Sequence, residues 1–123
     1  TLWLASRESD VDMIIKERLV EAAAADTVWS DSVSGFTMRV LKNPWCDEWK
    51  QPDAPRPLPS PYQMILSADY TQGANDARRP DLMYEAAGQG VGFVKEMKPA
   101  RQIVSDVVEE ALEVFDDLVG LPD

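Results

Sequence analysis

Residues 86–94 have the sequence AAGQGVGFV, which contains three of the six glycines of this 123-residue chain. Glycine has no Cβ atom, so the alternate residues Gly88, Gly90 and Gly92 allow the backbone to take positive φ and to contact a flat or anionic ligand closely. Gln89 lies between the first two glycines, where its amide can donate and accept hydrogen bonds. A tight turn that leads into a helix is the equally simple alternative, because the spacing lacks the preceding strand and immediate helix of a dinucleotide-binding fingerprint.

The sequence after this glycine motif predicts the longest helix of the chain. Pro99 suits a first helical turn, and Gly120 and Pro122 are typical of a helix end. Between them apolar residues recur at the spacing of one helical face. We expect this face to pack against the N-terminal strand and helix; its residues include Val104, Val108, Leu112 and Phe115.

The first 25 residues predict that strand and helix. Residues 1–5 (TLWLA) are apolar without alternation, as in a strand buried on both faces of a parallel sheet. From about residue 10 to 25, apolar side chains recur at helical spacing after a cap-like start at Ser9 and Asp12. The stripe available to the C-terminal helix consists of Val11, Ile15 and Leu19.

The middle of the chain predicts extended and irregular structure. Two β-leaning pieces, 26–31 and 36–41, meet at a bend at Ser34 and Gly35. Six of the nine prolines lie in residues 43–61, where they exclude a continuous helix or central strand. The segment also holds two tryptophans four residues apart, which one helical turn would place on the same side, as an anchor or as a substrate wall; they are Trp45 and Trp49.

Two helices are predicted between this segment and the glycine motif. Pro61 opens the first, over 62–70, and Gly73 follows its end. The second is short and covers about 81–87. The predicted apolar side of the first helix consists of Met64, Ile65 and Ala68.

The charge balance argues against nucleic acid as a partner. The chain has 12 basic and 22 acidic residues, which gives a net charge of −10. Binding to nucleic-acid phosphates requires clustered basic residues. Much of the acid lies in the C-terminal helix, which favours a solvated face and leaves an acidic docking surface as the alternative. No apolar run approaches the ~18 residues of a membrane span, so we expect a cytoplasmic protein without a membrane segment.

The chain has one cysteine, Cys46, and no histidine. A single cysteine excludes an internal disulfide and a cysteine-based metal site. The absence of histidine removes the commonest general base and metal ligand, and with it any neighbour that would activate the thiol. We therefore expect no metal site, and a small buried side chain at Cys46.

Four blocks of sequence together resemble the nitronate monooxygenases, formerly called 2-nitropropane dioxygenases. Residues 87–104 (AGQGVGFVKEMKPARQIV) are similar to the C-terminal signature of that family. Residues 1–6 (TLWLAS) resemble its Gly-Thr-Arg-Phe-Leu-Ala-Ser segment, residues 26–43 its Asp-Thr-Val…Phe-Ser-Gly-Arg-Pro-Ala-Arg segment, and residues 59–63 (PSPYQ) its Pro-x-Pro-x-Gln segment. The blocks occur in the family's order and cover almost the whole chain, although Phe-Thr at 36–37 replaces the usual Arg-Pro.

The resemblance implies an α/β fold: the C-terminal part of an FMN-binding (β/α)₈ barrel with a mainly helical, substrate-covering insertion. The chain would divide into the last barrel strand with its helix and extended segment (1–42), a proline-rich crossover and covering segment (43–87), and the glycine-rich loop with the C-terminal barrel helix (88–123). A complete barrel needs about 250 residues. We therefore expect a fragment that is inactive alone, and whose partner is the upstream half of the barrel or a second copy.

The resemblance also implies the activity and its residues. Such an enzyme oxidises nitronates or nitroalkanes with O2, and its catalytic histidine lies upstream of this chain. The expected FMN contacts are Thr1, Gly88, Gln89 and Gly90. The candidate substrate-pocket residues are Ser34, Arg39, Tyr62, Gln63 and Tyr84.

Two alternatives remain open at this point. Flavin-dependent enoyl reductases and NADH:quinone reductases use the same scaffold, so the substrate class is weakly determined. A non-enzymatic, acidic interaction module would also explain a short chain that has no histidine.

Overall fold

A computed structural model gives the structure of residues 1–120. It contains five α-helices and one two-stranded sheet. In chain order the elements are α1 (Met13–Glu21), β1 (Thr27–Ser30), β2 (Met38–Leu41), α2 (Pro44–Glu48), α3 (Tyr62–Leu66), α4 (Ala68–Asp76) and α5 (Ala100–Val119), with 3₁₀ turns at Ala24–Asp26 and Gln89–Phe93. None of the helices in residues 1–120 is long and apolar enough to cross a membrane. Pro122, expected to follow the end of the last helix, lies outside the described residues.

The predicted pair of extended pieces around Ser34 and Gly35 is confirmed. β1 and β2 pair antiparallel, with Trp29 opposite Arg39. Gly35 takes a φ of +74°, and a Cβ atom there would lie 2.5 Å from the backbone nitrogen of Ser60. The turn therefore requires glycine both for its backbone conformation and for its contact with the proline-rich segment.

A third extended segment, 85–87, lies along β2 and leads into the glycine motif. The Leu41 N–H donates to the Glu85 carbonyl at 2.9 Å, and the Ala87 N–H donates to the Arg39 carbonyl at 3.1 Å. These bonds replace the short helix predicted over 81–87, because the backbone there satisfies an edge of the sheet rather than its own turns. The motif consequently starts where this pairing ends.

The hydrophobic core joins α1, β2 and the glycine motif. Its buried members are Ala5, Leu19, Leu41, Ala87, Val91 and Val94. The predicted helix over 10–25 is confirmed with shorter bounds: the Asp12 carboxylate caps it by accepting from the Ile14 N–H at 3.0 Å. Because Val91 and Val94 belong to the core, the path of the motif is fixed by packing.

The strand predicted over residues 1–5 is wrong. The segment forms turns, in which the Ala5 N–H donates to the Thr1 carbonyl and the Ser6 N–H to the Trp3 carbonyl, each at 3.2 Å. A strand needs a neighbour to satisfy its backbone, and no strand in residues 1–120 pairs with this segment. Leu2 and Trp3 consequently have exposed side chains.

The single helix predicted over 62–70 is interrupted at Ser67, and the chain then continues as α4 through Gly73. The predicted apolar side is also wrong, because Gln63 and Ser67 are buried whereas Met64 and Ile65 are exposed. The Gln63 amide donates to the Ser32 carbonyl at 2.6 Å, and the Ser67 hydroxyl donates to the Val33 carbonyl at 3.0 Å. The helix turns its polar side inward because the loop between β1 and β2 presents carbonyls that require donors.

The tryptophans of the proline-rich segment act as an anchor. The rings of Trp45 and Trp49 lie 5.6 Å apart, on one side of α2 as expected. Trp45 also stacks on Tyr70 at 3.9 Å and donates from its indole to the Ser32 carbonyl. Cys46 on the same short helix is buried, as predicted.

The C-terminal helix is confirmed, but its predicted packing is wrong. Ile103 near its start is buried, whereas the rest of the predicted face is 52 to 64 % exposed, at Val104, Val108, Leu112 and Phe115. The helix meets the rest of the chain at its first turns, where the Glu8 carboxylate accepts from the Ala100 N–H at 2.7 Å. Its apolar face has no partner among residues 1–120.

Candidate functional site

The glycine motif contains one packed glycine and two open ones. A Cβ atom on Gly92 would lie 3.2 Å from the backbone nitrogen of Ala24, whereas one on Gly88 or Gly90 would meet nothing within 4 Å. These glycines do not use the positive φ that glycine allows: Gly88 has φ −78° and ψ 171°, an extended conformation, and Gly35 is the glycine of residues 1–120 with positive φ. A ligand could therefore approach the backbone at Gly88 and Gly90 because these residues have no side chains. The backbone dihedral angles do not contribute to this accessibility.

The N-terminal turn lies close to the end of the motif. Leu2, Phe93, Val94 and Lys95 border one cavity of about 420 Å³, which α5 closes with Ile103, Asp106, Val107 and Glu110. The structure thus brings the segment that carries Thr1 together with the segment that carries the glycines. The four predicted cofactor contacts themselves, Thr1, Gly88, Gln89 and Gly90, do not line this cavity.

A second cavity, of about 530 Å³, brings two predicted substrate residues together. We call it the Tyr84 cavity; its walls are Val33, Ser34, Met38, Met64, Ser67, Ala68, Thr71, Gln72, Asn75, Tyr84, Glu85 and Ala86. Ser34 and Tyr84 share it, and the Tyr84 hydroxyl donates to the Ser30 carbonyl at 3.4 Å. A mixed lining of methionines, hydroxyls and amides suits a small polar organic molecule.

Two ionisable groups of the Tyr84 cavity are altered by burial. Burial raises the pKa of the Tyr84 phenol. Burial likewise raises the pKa of the Glu85 carboxyl, and the charge of Arg18 offsets part of that increase. At neutral pH Tyr84 is consequently a hydrogen-bond donor in a half-buried setting.

Arg39 lies apart from Ser34 and Tyr84. Neighbouring residues of a strand face opposite sides of a sheet, and Met38 faces the Tyr84 cavity, so Arg39 faces away from it. Its guanidinium lies 4.8 Å from the centre of the Trp29 ring and donates to the Thr27 hydroxyl at 3.0 Å. Because the Arg39 carbonyl binds the Ala87 N–H, Arg39 stands beside the start of the glycine motif.

Tyr62 and Gln63 do not line the Tyr84 cavity. The Gln63 side chain is fully buried, and its Oε1 accepts from the Leu58 N–H at 2.9 Å while its amide nitrogen binds the Ser32 carbonyl. Tyr62 is exposed. Gln63 thereby fixes the loop that contains Ser34, and both of its polar atoms are engaged by backbone.

The α3–α4 residues that line the Tyr84 cavity are not among the residues predicted from the sequence. Met64, Ser67 and Thr71 recur at intervals of three and four residues, so helical periodicity places them on one face. An apolar stripe does not reveal this face, because it is mixed in polarity. Lys16, which is buried within the apolar stripe of α1, is likewise not among the predicted residues.

The residues present are compatible with FMN. The four predicted contacts, Thr1, Gly88, Gln89 and Gly90, carry no carboxylate that would repel a phosphate. The backbone at Gly88 and Gly90 can be approached without a clash. In residues 1–120, no cluster of three or more His, Cys, Asp or Glu side chains is arranged to hold a metal ion.

Comparison with known proteins connects this geometry with one family. A relative from Mycobacterium tuberculosis, named "Putative monooxygenase Rv1533", is 34% identical over 98% of this chain and 34% of its own length. The "Probable nitronate monooxygenase" of Bacillus subtilis is 30% identical over 91% of this chain and 32% of its own length. The chain therefore spans about a third of the length of these curated relatives.

Solved structures agree with that grouping. The nitroalkane oxidase of Streptomyces ansochromogenes has a TM-score of 0.81 and 27% identity, over 95% of this chain and 33% of that one. FabK from Thermotoga maritima has a TM-score of 0.73 and 27% identity, over 96% of this chain and 37% of that one. The described part of the chain is a helix-rich α/β fragment with two strands, and it is similar in fold to part of these TIM-barrel enzymes. The nitronate monooxygenase family model matches residues 1–110, and the chain belongs to that family.

Proposed function

We propose that this chain is the cofactor-binding and substrate-covering part of a longer, cytoplasmic FMN-dependent enzyme that oxidises nitronates or nitroalkanes with O2. The observation that carries the proposal is the pair of open glycines, Gly88 and Gly90, in a motif whose end shares a cavity with Leu2 of the N-terminal turn. A Cβ atom at either position would meet no atom of residues 1–120 within 4 Å, so packing within the described part of the chain does not require glycine there. Membership of the nitronate monooxygenase family supplies the reaction class.

FMN, when bound, accepts electrons from the substrate and passes them to O2, and the protein's share is placement and proton handling. Thr1 would bind the phosphate through its hydroxyl and backbone N–H. Gly88, Gln89 and Gly90 would contact the ring system through the backbone and the Gln89 amide. Arg39 would stand next to this contact, held by Trp29 and Thr27.

The Tyr84 cavity would hold the substrate. The Tyr84 and Ser34 hydroxyls donate to the Ser30 and Phe36 carbonyls in this structure. On substrate binding they would rotate to donate to the oxygens of a nitro group, which orients the reacting carbon. Gln63 would support this wall by fixing the Ser32 carbonyl, and Tyr62 would lie outside it. The resemblance to the family implies that a histidine of the upstream part removes the proton from a neutral nitroalkane, and this chain has no histidine that could replace it.

The exposed face of α5 supports the view that a larger body covers this chain. Fully burying large apolar side chains is worth about 1.5 to 3 kcal/mol each, and this face exposes several of them in one row. We propose that the preceding part of the barrel covers the face, with a second copy of the chain as the other candidate.

The experiment is a comparison of the longer protein that contains this chain with the 123-residue chain alone. We expect the longer protein to purify with FMN, visible by its absorbance, and to consume O2 when an alkyl nitronate is added. The isolated chain should be inert and bind FMN weakly or not at all. Flavin at near one-to-one stoichiometry on the isolated chain would contradict the fragment assignment.

The same preparation separates the alternatives. Oxidation of NADH with a quinone or an enoyl thioester as acceptor, without nitronate-dependent O2 uptake, would assign the reductase chemistry instead. Absence of flavin from the longer protein would leave the interaction module.

A further inference from the structure

Lys16 is a buried cation that forms no salt bridge with a carboxylate of residues 1–120. Its side chain lies in α1 and is 3% exposed. Its ammonium donates to the carbonyl of Ser6 at 2.8 Å, to that of Ser9 at 2.7 Å and to that of Arg7 at 3.4 Å. A buried ammonium usually requires a carboxylate to offset its desolvation. Three backbone carbonyls in its place fix one short segment of chain, residues 6–9.

Through Ser6, this segment is connected to Thr1. The Ser6 hydroxyl donates to the Trp3 carbonyl at 2.8 Å, and its backbone N–H binds the same carbonyl. One residue earlier, the Ala5 N–H closes the turn on the Thr1 carbonyl. The Lys16 ammonium is therefore connected to the Thr1 carbonyl through its bond to Ser6, the peptide linkage between Ser6 and Ala5, and the Ala5 N–H bond to Thr1.

The same segment is also connected to the chain that follows the glycine motif. The Arg7 N–H donates to the Lys98 carbonyl at 3.0 Å, and its guanidinium donates to the Met97 carbonyl at 3.2 Å. Glu8 accepts from the first turn of α5. Lys16 thus holds the junction at which the N-terminal turn and the exit of the glycine motif meet.

We propose that Lys16 is a positioning residue for the phosphate of the flavin: it fixes residues 6–9, and through them sets the position of the Thr1 hydroxyl and N–H. This inference rests on the proposed function, in which Thr1 contacts that phosphate. Lys16 does not touch the cofactor. Its ammonium is fully engaged by carbonyls of the segment, so it acts on the ligand only through the turn.

The test compares FMN with riboflavin, which lacks the phosphate, on the apo form of the longer protein. Dissociation constants are measured by quenching of flavin fluorescence for wild type, Lys16→Met and Lys50→Met. Lys50 is an exposed lysine, and its replacement is the matched control for loss of one positive charge. We expect Lys16→Met to weaken FMN at least tenfold and to change riboflavin less than twofold, and Lys50→Met to change neither.

Equal weakening of FMN and riboflavin by Lys16→Met would overturn the inference, because a merely structural lysine would affect both ligands alike. Unchanged FMN affinity would overturn it as well. If Lys16→Met does not fold, Ser6→Ala is tested instead, because it removes the hydroxyl bond to the Trp3 carbonyl and keeps Lys16. A weaker affinity of Ser6→Ala for FMN with unchanged riboflavin affinity supports the inference. An equal effect on the two affinities refutes it. A wild-type protein that binds both flavins equally would instead refute the phosphate contact at Thr1, and with it that part of the proposed function.

Discussion

Each glycine of the motif can be replaced by alanine to compare the effect on stability with the effect on flavin affinity. We expect Gly92→Ala to reduce stability most, and Gly88→Ala and Gly90→Ala to reduce flavin affinity most. At Gly92 the new Cβ would lie 3.2 Å from the backbone nitrogen of Ala24, so two backbone segments have to separate by a few tenths of an ångström. Overpacking of that kind costs about 1 to 3 kcal/mol. At Gly88 and Gly90 the methyl group meets nothing within 4 Å, and restriction of the unfolded chain should stabilise the protein by about 0.4 to 1 kcal/mol.

Flavin affinity should show the reverse order. The open space beside Gly88 and Gly90 is where the proposed ring contact is made, so the Ala variants at these two positions should weaken FMN severalfold or more. The fold-matched comparison is Gly73→Ala in α4, where a Cβ also meets nothing within 4 Å but which lies outside the proposed site. Urea denaturation of the apo protein gives the free energy of unfolding, and fluorescence quenching gives the affinity.

If Gly88→Ala and Gly90→Ala lose as much stability as Gly92→Ala, while their folded fraction binds FMN as wild type does, the open glycines serve the turn alone. If Gly92→Ala lowers the free energy of unfolding by less than about 0.5 kcal/mol, the backbone near Ala24 can move aside at little cost. The FMN affinities of the Gly88→Ala and Gly90→Ala variants would then be the test.

Three further predictions follow from the described contacts. Gln63→Ala should cost about 1 to 3 kcal/mol, because it leaves the Leu58 N–H without its partner and the Ser32 carbonyl with the Trp45 indole as its remaining donor. Met64→Ala, on the exposed side of α3, should stay within about 0.5 kcal/mol in the same urea titration. Because the folded pKa of Glu85 is raised above its unfolded value, the native state binds its proton more tightly than the unfolded state does. The free energy of unfolding should therefore fall as pH rises from about 4.5 through the folded pKa. Glu85→Gln should flatten that part of the pH profile, and an unchanged slope would show that Glu85 is not its source. Val108→Asp should leave the stability of the isolated chain nearly unchanged, because Val108 is half exposed there. In the longer protein it should cost several kcal/mol if the upstream barrel covers α5. Glu110→Ala is the neutral control in both proteins, and equal effects of Val108→Asp in the two would show that nothing covers this face.

The sequence predicted those features that depend on local chemistry. The turn at Gly35 and the length of α5 follow from residues within a few positions of each other, as turn preference and helical periodicity require. The partner of α5 could not be predicted in that way, because periodicity defines an apolar face without naming what covers it. The strand expected at residues 1–5 failed for a related reason: an apolar run becomes a strand only when another strand offers backbone partners.

The site was predictable only in part. Ser34 and Tyr84 line one cavity, while their role in substrate binding stays a prediction, and the glycine motif was located by its unusual composition. The inward orientation of Gln63 and Ser67 was not predictable, because it depends on two carbonyls more than 30 residues away along the chain. Lys16 was missed for the same reason, since helical spacing marks its position as core and only the turn at residues 6–9 explains a cation there.

The placement of Met38 and Arg39 on opposite faces of β2 constrains how this family member can evolve. A single residue inserted or deleted between the bend at Gly35 and β2 would slip the register and exchange the two faces. Met38 would leave the Tyr84 cavity, and the guanidinium of Arg39 would enter it. The hairpin can therefore accept changes of residue type in its loop far more readily than changes of length, and natural variation in the lining of the Tyr84 cavity should arise there by substitution.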